Sequence, residues 1–250
     1  MSKIYLINVG ANSAHSSKAR IPLFEDGTFK YVSFPHKGIK GKRPYPAEVR
    51  PFVRAVDIYE THFDPDWQHL TYGDGCGSPR AGALKQVVEN DVLLFWGLFW
   101  KNNGNGWEGF TGERRWCLMG ALRVREILEE GQRATDAKSP TRIKRARHNV
   151  HFCSGRLDSG NRVFLGCTRH SQLFPVAVDL EVGKRTGLLY RTIQTASGGK
   201  LSLGGKPAWS SSLRSCRAVW DLDEPKSRRL AEIVRERIYA KTGYDLLSNI

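Results

Sequence analysis

Residues 92–100 read VLLFWGLFW, and this apolar stretch decides the fold. A helix that crosses a bilayer needs about 20 apolar residues, roughly twice this length. A short, uninterrupted run rich in aromatic and aliphatic residues is typical of a strand buried on both faces. Alternation along the strand places Trp96 and Trp100 on one face and Phe95 and Phe99 on the other. The stretch therefore predicts a buried strand with one face in the core, and Trp96 is the tryptophan expected to line a pocket.

Further apolar runs on both sides of this strand complete the predicted sheet: Ile4–Val9, Trp116–Val124, Val163–Cys167, Val176–Leu180 and Ala218–Leu222. Ser78–Glu89 reads as a helix, with Ser78 as its cap and Pro79 in its first turn. Pro225–Thr242 has the apolar spacing of an amphipathic helix, and Gly243 follows where a helix usually ends. We therefore predict an α+β fold: a curved or barrel-like mixed sheet with flanking helices and a C-terminal amphipathic helix.

Composition narrows the class of protein. The chain has 250 residues, of which 40% are hydrophobic, and a formal net charge of +14. This is globular composition, and no stretch reads as a membrane span or a secretory signal, so we expect a cytoplasmic protein. Five cysteines without CxxC spacing argue against a disulfide framework and a zinc ribbon. No cofactor is predicted.

The positive charge is concentrated in residues 36–54 and 131–170, which carry net charges of +5 and +7. Such segments favour a nucleic-acid partner, although a solvated charged helix explains them equally well. The side chains predicted to contact a phosphate backbone are Lys40, Lys42, Arg43, Arg142, Lys144, Arg145 and Arg147.

Two polar segments are candidates for a binding site. Asn8, Asn12 and His15 follow the first strand, where ligands often bind at a sheet end; an ordinary turn is the alternative. Tyr72, Asp74 and Arg80 lie in a glycine-rich stretch that leads into the predicted helix, where phosphate or a carbonyl would find backbone N–H groups and a guanidinium. The spacing is neither a P-loop nor a dinucleotide-binding fingerprint.

The segment His62-x-Asp64-x-Asp66-x-x-His69 carries two histidines and two carboxylates. It has the residue types of a metal site, but Pro65 disfavours a regular strand, and we favour a loop tied by Asx turns. We therefore predict no metal. His69 with Asp74 is an alternative acid–base pair, and His15 and His170 complete the candidate catalytic residues. No GxSxG elbow surrounds a serine, so a serine hydrolase is not expected.

Four blocks resemble the nucleotide modification-associated domain 3 family. They are IYLINVGANSAHSSKAR, HFDPDW…LTYGDGCGSPRAGAL, NDVLLFW and SSSLRSCRAVWDL. The resemblance implies a genomic setting shared with domains linked to hypermodified DNA bases, in DNA modification or phage defence. It also implies a nucleic-acid partner, specifically DNA with modified bases.

The order PRAGALKQVVENDVLLFW…CLMGALRV also resembles PUA-like readers of modified bases, such as the EVE and YTH domains. Asn90-Asp91 replaces their Gly-Asp turn, and Phe95-Trp96-Gly97-Leu98 lacks the His and Ser of their aromatic strand. This likeness implies a base pocket among Asn8, Tyr72, Arg80 and Trp96. It also implies one domain over residues 1–250, with a core in 1–125 and an extension in 150–250.

Three functions remain open from the sequence. In the first, the protein reads modified DNA by flipping a base into an aromatic and polar pocket. In the second, it is a base- or nucleotide-modifying enzyme whose His, Asp and Arg side chains form one site. In the third, it is an assembly protein without a pocket. If His15, His69 and Asp74 lie within hydrogen-bond reach in a cleft, the enzyme is favoured; if they are scattered, the reader is favoured.

Overall fold

The computed structural model describes residues 2–11, 15–35, 43–54, 60–77, 81–152, 155–181 and 216–248, together with four single positions between 189 and 195. Nine strands are described: β1 (Lys3–Asn8), β2 (Ile21–Leu23), β3 (Arg43–Pro44), β4 (Glu60–Thr61), β5 (Thr71–Gly75), β6 (Val92–Asn102), β7 (Phe110–Leu128), β8 (Asn161–Asp179) and β9 (Cys216–Asp221). The two longer helices are α1 (Pro140–Arg147) and α2 (Pro225–Thr242).

Six strands form a mixed sheet in the order β5-β8-β7-β6-β1-β9, and β2 joins it on β6. β1 and β2 lie end to end along the same edge of β6, and both run parallel to it. The other edge of β6 pairs with β7, which in turn pairs with β8, both antiparallel. The small pair of β3 and β4 lies outside this sheet.

The sheet is curled into a half-barrel. Bulges interrupt the pairing of β7 with both of its neighbours, and bulges bend strands. Tyr72 on β5 and Phe95 on β6 belong to strands three places apart, yet their ring centroids are 5.2 Å apart. In a flat sheet that separation would be about 14 Å. The predicted α+β fold with a curved sheet and a C-terminal helix is therefore confirmed.

Both faces of the central strand β6 are covered. Tyr5, Ile7, Leu93 and Phe95 point into one core, on the inner side of the curl. The alternate residues of the same two strands, including Trp96, point into a second core with Ala231, Val234 and Ile238 of α2. Gly243 ends α2 with a φ of 71°, the left-handed conformation that glycine adopts without strain.

Two predictions about elements are wrong. The helix predicted over Ser78–Glu89 is a short 3₁₀ helix at Gly82–Gln86 within the described part of this segment. The buried Asp91 accepts the Val88 N–H at 2.8 Å and turns the chain into β6 before a longer helix can form. The separate strands predicted at Val163–Cys167 and Val176–Leu180 are one strand, β8, because backbone pairing with β7 continues through the polar residues between them.

Candidate functional site

A cavity of about 220 Å³ opens on the inner side of the curl. The end of β1 contributes Asn8, and β5 contributes Tyr72, Gly73 and Asp74; these two strands lie far apart in the sheet and meet because it curls. The remaining walls come from connecting segments: Val9, Gly10, His15, Phe34, His62, Asp64 and His151. Three histidines and two carboxylates therefore converge on one cavity.

Asp64 is the most deeply buried of these titratable groups, with 3% of the residue exposed. Its Oδ2 atom accepts the Gly73 N–H at 2.8 Å and lies 3.3 Å from Nε2 of His151 and 4.0 Å from Nε2 of His62. Burial raises the pKa of Asp64 to about 6, against the opposing effects of His151 and the Gly73 N–H. Burial alone would lower the pKa of His151, but the carboxylates of Asp64 and Asp74 more than offset this, so the pKa is raised.

Asn149 holds the two partners in place. This buried amide donates to Oγ1 of Thr71 at 3.0 Å and to Oδ1 of Asp64 at 3.5 Å, and its oxygen accepts the His151 N–H at 3.0 Å. Gly73 is required on the opposite side, because a Cβ built there would overlap the His151 ring. The positions of Asp64 and His151 are thus fixed by the surrounding backbone and by one amide.

An aromatic stack forms another wall of the cavity. Phe34 lies between two imidazoles: its ring centroid is 5.5 Å from that of His15 and 5.2 Å from that of His62, both nearly parallel. His62 then meets His151 edge-on at 5.0 Å. The stack thus connects His62, which is two residues from Asp64, to His151 on a different segment.

Tyr72 and Asp74 form a polar pair on the β5 wall. The Tyr72 hydroxyl donates to Oδ2 of Asp74 at 2.6 Å, and Oδ1 of Asp74 accepts the Gly75 N–H at 2.8 Å. Burial raises the pKa of Tyr72 well above its ordinary value, so the hydroxyl stays protonated at neutral pH. Asn8 is held less tightly, through a 3.4 Å bond from its amide nitrogen to the Trp96 carbonyl.

The structure thus brings together four of the predicted site residues: Asn8, His15, Tyr72 and Asp74. Trp96 does not line the cavity, because it points into the second core, where its ring lies 4.9 Å from that of Trp116. The inward-pointing neighbour on that strand is Phe95, which packs against Tyr72. Asn12 and Arg80 lie outside the described residues.

His69 and His170 lie elsewhere. Nδ1 of His69 is 2.8 Å from Oδ2 of Asp66, and its ring stacks on His148 with 3.8 Å between centroids. His170 lies beside the C-terminal segment, with Nδ1 3.2 Å from the Ser248 hydroxyl. His15 and Asp74 line the same cavity, but His69 does not, so the three residues do not meet the condition that would favour the enzyme.

Of the side chains predicted to contact a nucleic-acid backbone, some bind other parts of the protein and others are exposed. Arg142 donates to the buried Glu126 at 2.9 Å, and Arg145 donates to the carbonyls of His69, Leu70 and Gly166. Lys144 and Arg147 are exposed on the same helix. Arg43 lies near Asp66 and donates a hydrogen bond to the His148 carbonyl. Lys40 and Lys42 lie outside the described residues.

Phe34 and His151 are functional candidates that the sequence reasoning missed. His151 lies 87 positions from Asp64 in the chain and belongs to no motif. Within the described residues, one group of three has donor atoms close enough to share a metal ion: His62, Asp64 and His151, all within 4.8 Å of one another. The local cluster in the sequence contained two of them, but its Asp66 and His69 pair with each other outside the cavity.

No helix in the described part of the chain has the length and apolarity needed to cross a membrane. Neither the curated proteins nor the solved structures contain a match to the chain. The resemblance to PUA-like domains stays a prediction. The model of the nucleotide modification associated domain 3 matches residues 3–217, which include every strand of the curled sheet up to the start of β9 and every residue that lines the cavity. The chain therefore belongs to the nucleotide modification associated domain 3 family.

Proposed function

We propose that the protein is an enzyme that binds a nucleotide, or a base of DNA, in the cavity and modifies it. The observation that supports this proposal is that five titratable side chains line one cavity of a nucleotide modification associated domain: His15, His62, Asp64, Asp74 and His151. Cavities that gather several titratable groups from distant segments are typical of catalytic sites. A binding pocket for a base needs fewer such groups.

The walls supply complementary roles for such a substrate. The Asn8 amide offers both a donor and an acceptor, the combination that reads a base edge. His15 and Asp74 both line the cavity, and we assign to them the exchange of protons with a bound molecule. The Tyr72 hydroxyl holds Asp74 in a fixed orientation.

A reader of modified DNA is the second candidate. The net charge of +14 and the exposed Lys144 and Arg147 favour contact with a polyanion. Against it, the stacking surface expected from Trp96 is buried in the second core, and Phe34 already stacks with His15 and His62. Among the described residues, therefore, the cavity is better equipped for chemistry than for stacking a flipped base.

The test incubates the full-length protein with a nucleotide panel and with duplexes that carry unmodified or 5-substituted pyrimidines, and follows the products by nucleoside mass spectrometry. Turnover is expected for the wild type, and His15→Gln and Asp74→Asn should each lower its rate by at least about 100-fold. His170→Gln is the matched control, since its ring lies outside the cavity.

Two results would contradict the enzyme. One is tight, modification-dependent binding with no change in any nucleoside, which would establish the reader. The other is turnover that His15→Gln and Asp74→Asn leave at the wild-type rate, which would place the chemistry elsewhere.

A further inference from the structure

We propose that His62, Asp64 and His151 bind a divalent transition-metal ion in the wall of the cavity. The two imidazoles and the carboxylate come from two segments that are distant in the chain, and their donor atoms lie within 4.8 Å of one another. Binding of the ion goes beyond the proposed function and does not depend on which substrate is turned over. Its use in catalysis does rest on that function.

The separations suit a shared ion. Metal–ligand bonds of about 2.1 Å place neighbouring ligand atoms roughly 3.0–3.4 Å apart in octahedral or tetrahedral geometry. Oδ2 of Asp64 is 3.3 Å from Nε2 of His151, which is already within this range, and 4.0 Å from Nε2 of His62. All three donor atoms lie within 4.8 Å of one another, so a shared ion requires His62 to move towards the other two ligands. His62 is the most exposed of the three, with 18% of its side chain accessible.

The hydrogen bonding around the donor atoms also favours binding of an ion. Nε2 of His151 is buried and lacks an aligned hydrogen-bond partner, although it faces the Asp64 carboxylate. A buried polar nitrogen in this state is destabilising unless something binds it. Metal-binding side chains are usually held by further hydrogen bonds, and here the Gly73 N–H and the Asn149 amide hold Asp64.

The ligand set indicates the class of ion. Imidazole favours Zn²⁺, Fe²⁺, Co²⁺ or Ni²⁺ over Mg²⁺ and Ca²⁺, and one carboxylate with two histidines is common in catalytic sites of such metals. Three protein ligands leave at least one coordination position open. That position would face the cavity, between the ligands and the wall formed by His15, Tyr72 and Asp74. A water or substrate oxygen bound there would be activated for reaction.

The experiment strips the full-length protein with a chelator and titrates it with Zn²⁺ by calorimetry, with elemental analysis of the recovered protein. One equivalent of Zn²⁺ per chain is expected. His62→Gln and His151→Gln should each weaken binding by more than about 100-fold, because losing a direct ligand has a larger effect than losing an orienting residue. Co²⁺ provides a second probe, since its visible absorption reports coordination by nitrogen and oxygen.

His69→Gln is the matched control and should bind Zn²⁺ as the wild type does, since His69 pairs with Asp66 outside the cavity. Far-UV circular dichroism checks that each variant is folded, and the partly exposed His62 gives the variant least prone to unfold. Absence of stoichiometric binding, or equal affinity in the wild type and both ligand variants, would overturn the site.

The outcomes also separate this site from the proposed enzyme. Stoichiometric Zn²⁺ without turnover of any nucleotide or duplex would support the metal site and contradict the enzyme. Turnover by stripped protein that takes up no Zn²⁺ would contradict the metal site and support the enzyme.

Discussion

At the scale of single residues, the site depends on contacts between positions that are distant in the chain. His62 and Asp64 are two residues apart, whereas His151 reaches them from 87 positions beyond Asp64. Sequence spacing detects ligands that share a strand or a turn, as in the cluster of His62, Asp64, Asp66 and His69. Sequence spacing could not detect His151, because its position depends on a hydrogen bond to Asn149 and on the space left by Gly73.

Gly73→Ala tests this dependence. The new Cβ would overlap the His151 ring, so either the ring or β5 must move, and overpacking of this kind destabilises a protein by about 1–3 kcal/mol. Denaturant unfolding should show this loss. Gly75→Ala is the control on the same strand, because its Cβ would meet its nearest atom, Oδ1 of Asn161, at 3.4 Å. Equal stability of the two variants would show that the ring has room to shift.

At the scale of elements, two guanidinium groups of α1 bind it to the sheet and its connections: Arg142 donates to Glu126 on β7, and Arg145 makes three bonds to backbone carbonyls. Nε of Arg145 donates to the His69 carbonyl, and Nη2 donates to the carbonyls of Leu70 and Gly166 at 2.9 and 2.7 Å. The helix sequence RIKRARH reads as a uniformly basic surface, and only the structure separates a cation that joins elements from those that face solvent. Arg142 and Arg145 have structural partners, and Lys144 and Arg147 are exposed.

Arg145→Ala should therefore lower the free energy of unfolding by about 2–3 kcal/mol, because three carbonyls lose a charged donor. Chemical denaturation measures this change. Lys144→Ala, one position earlier and exposed, should stay within about 0.5 kcal/mol of the wild type. A small effect of Arg145→Ala would mean that water replaces the guanidinium at these carbonyls.

Elements with a continuous apolar run or a long periodic pattern could be predicted from the sequence, and elements shaped mainly by tertiary contacts could not. The apolar run at 92–100 and the amphipathic pattern at 225–242 correspond to β6 and α2, because each buries enough surface to determine its own structure. Ser78 and Pro79 indicated a helix, but Asp91 ends the turn at Val88. In β8, the two predicted apolar runs are joined by polar residues, and Ser171 and Gln172 among them pair with Leu122 and Ala121 of β7, which an apolar pattern does not reveal.

At the scale of the whole molecule, the net charge of +14 predicts salt-dependent association with nucleic acid, whichever chemistry the cavity performs. Replacing both Lys144 and Arg147 with alanine should weaken binding to duplex DNA and reduce the slope of log K against log salt by about 2. Fluorescence anisotropy across a salt series measures this. The same replacement at Lys226 and Arg229, which are exposed on α2, is the matched control. If the slope of log K against log salt is unchanged in the Lys144 and Arg147 variant, α1 does not contact the DNA.

The end-to-end arrangement of β1 and β2 on β6 has a consequence for how the lining of the cavity can vary in this family. The segment between them, residues 9–20, leaves and rejoins the edge of a single strand, and it carries His15 to the cavity. Because both of its anchors are fixed in register, residues can be inserted or deleted between them without displacing a strand, at a modest entropic cost. Loop grafting at this position is therefore a route to retarget the pocket while the scaffold is retained.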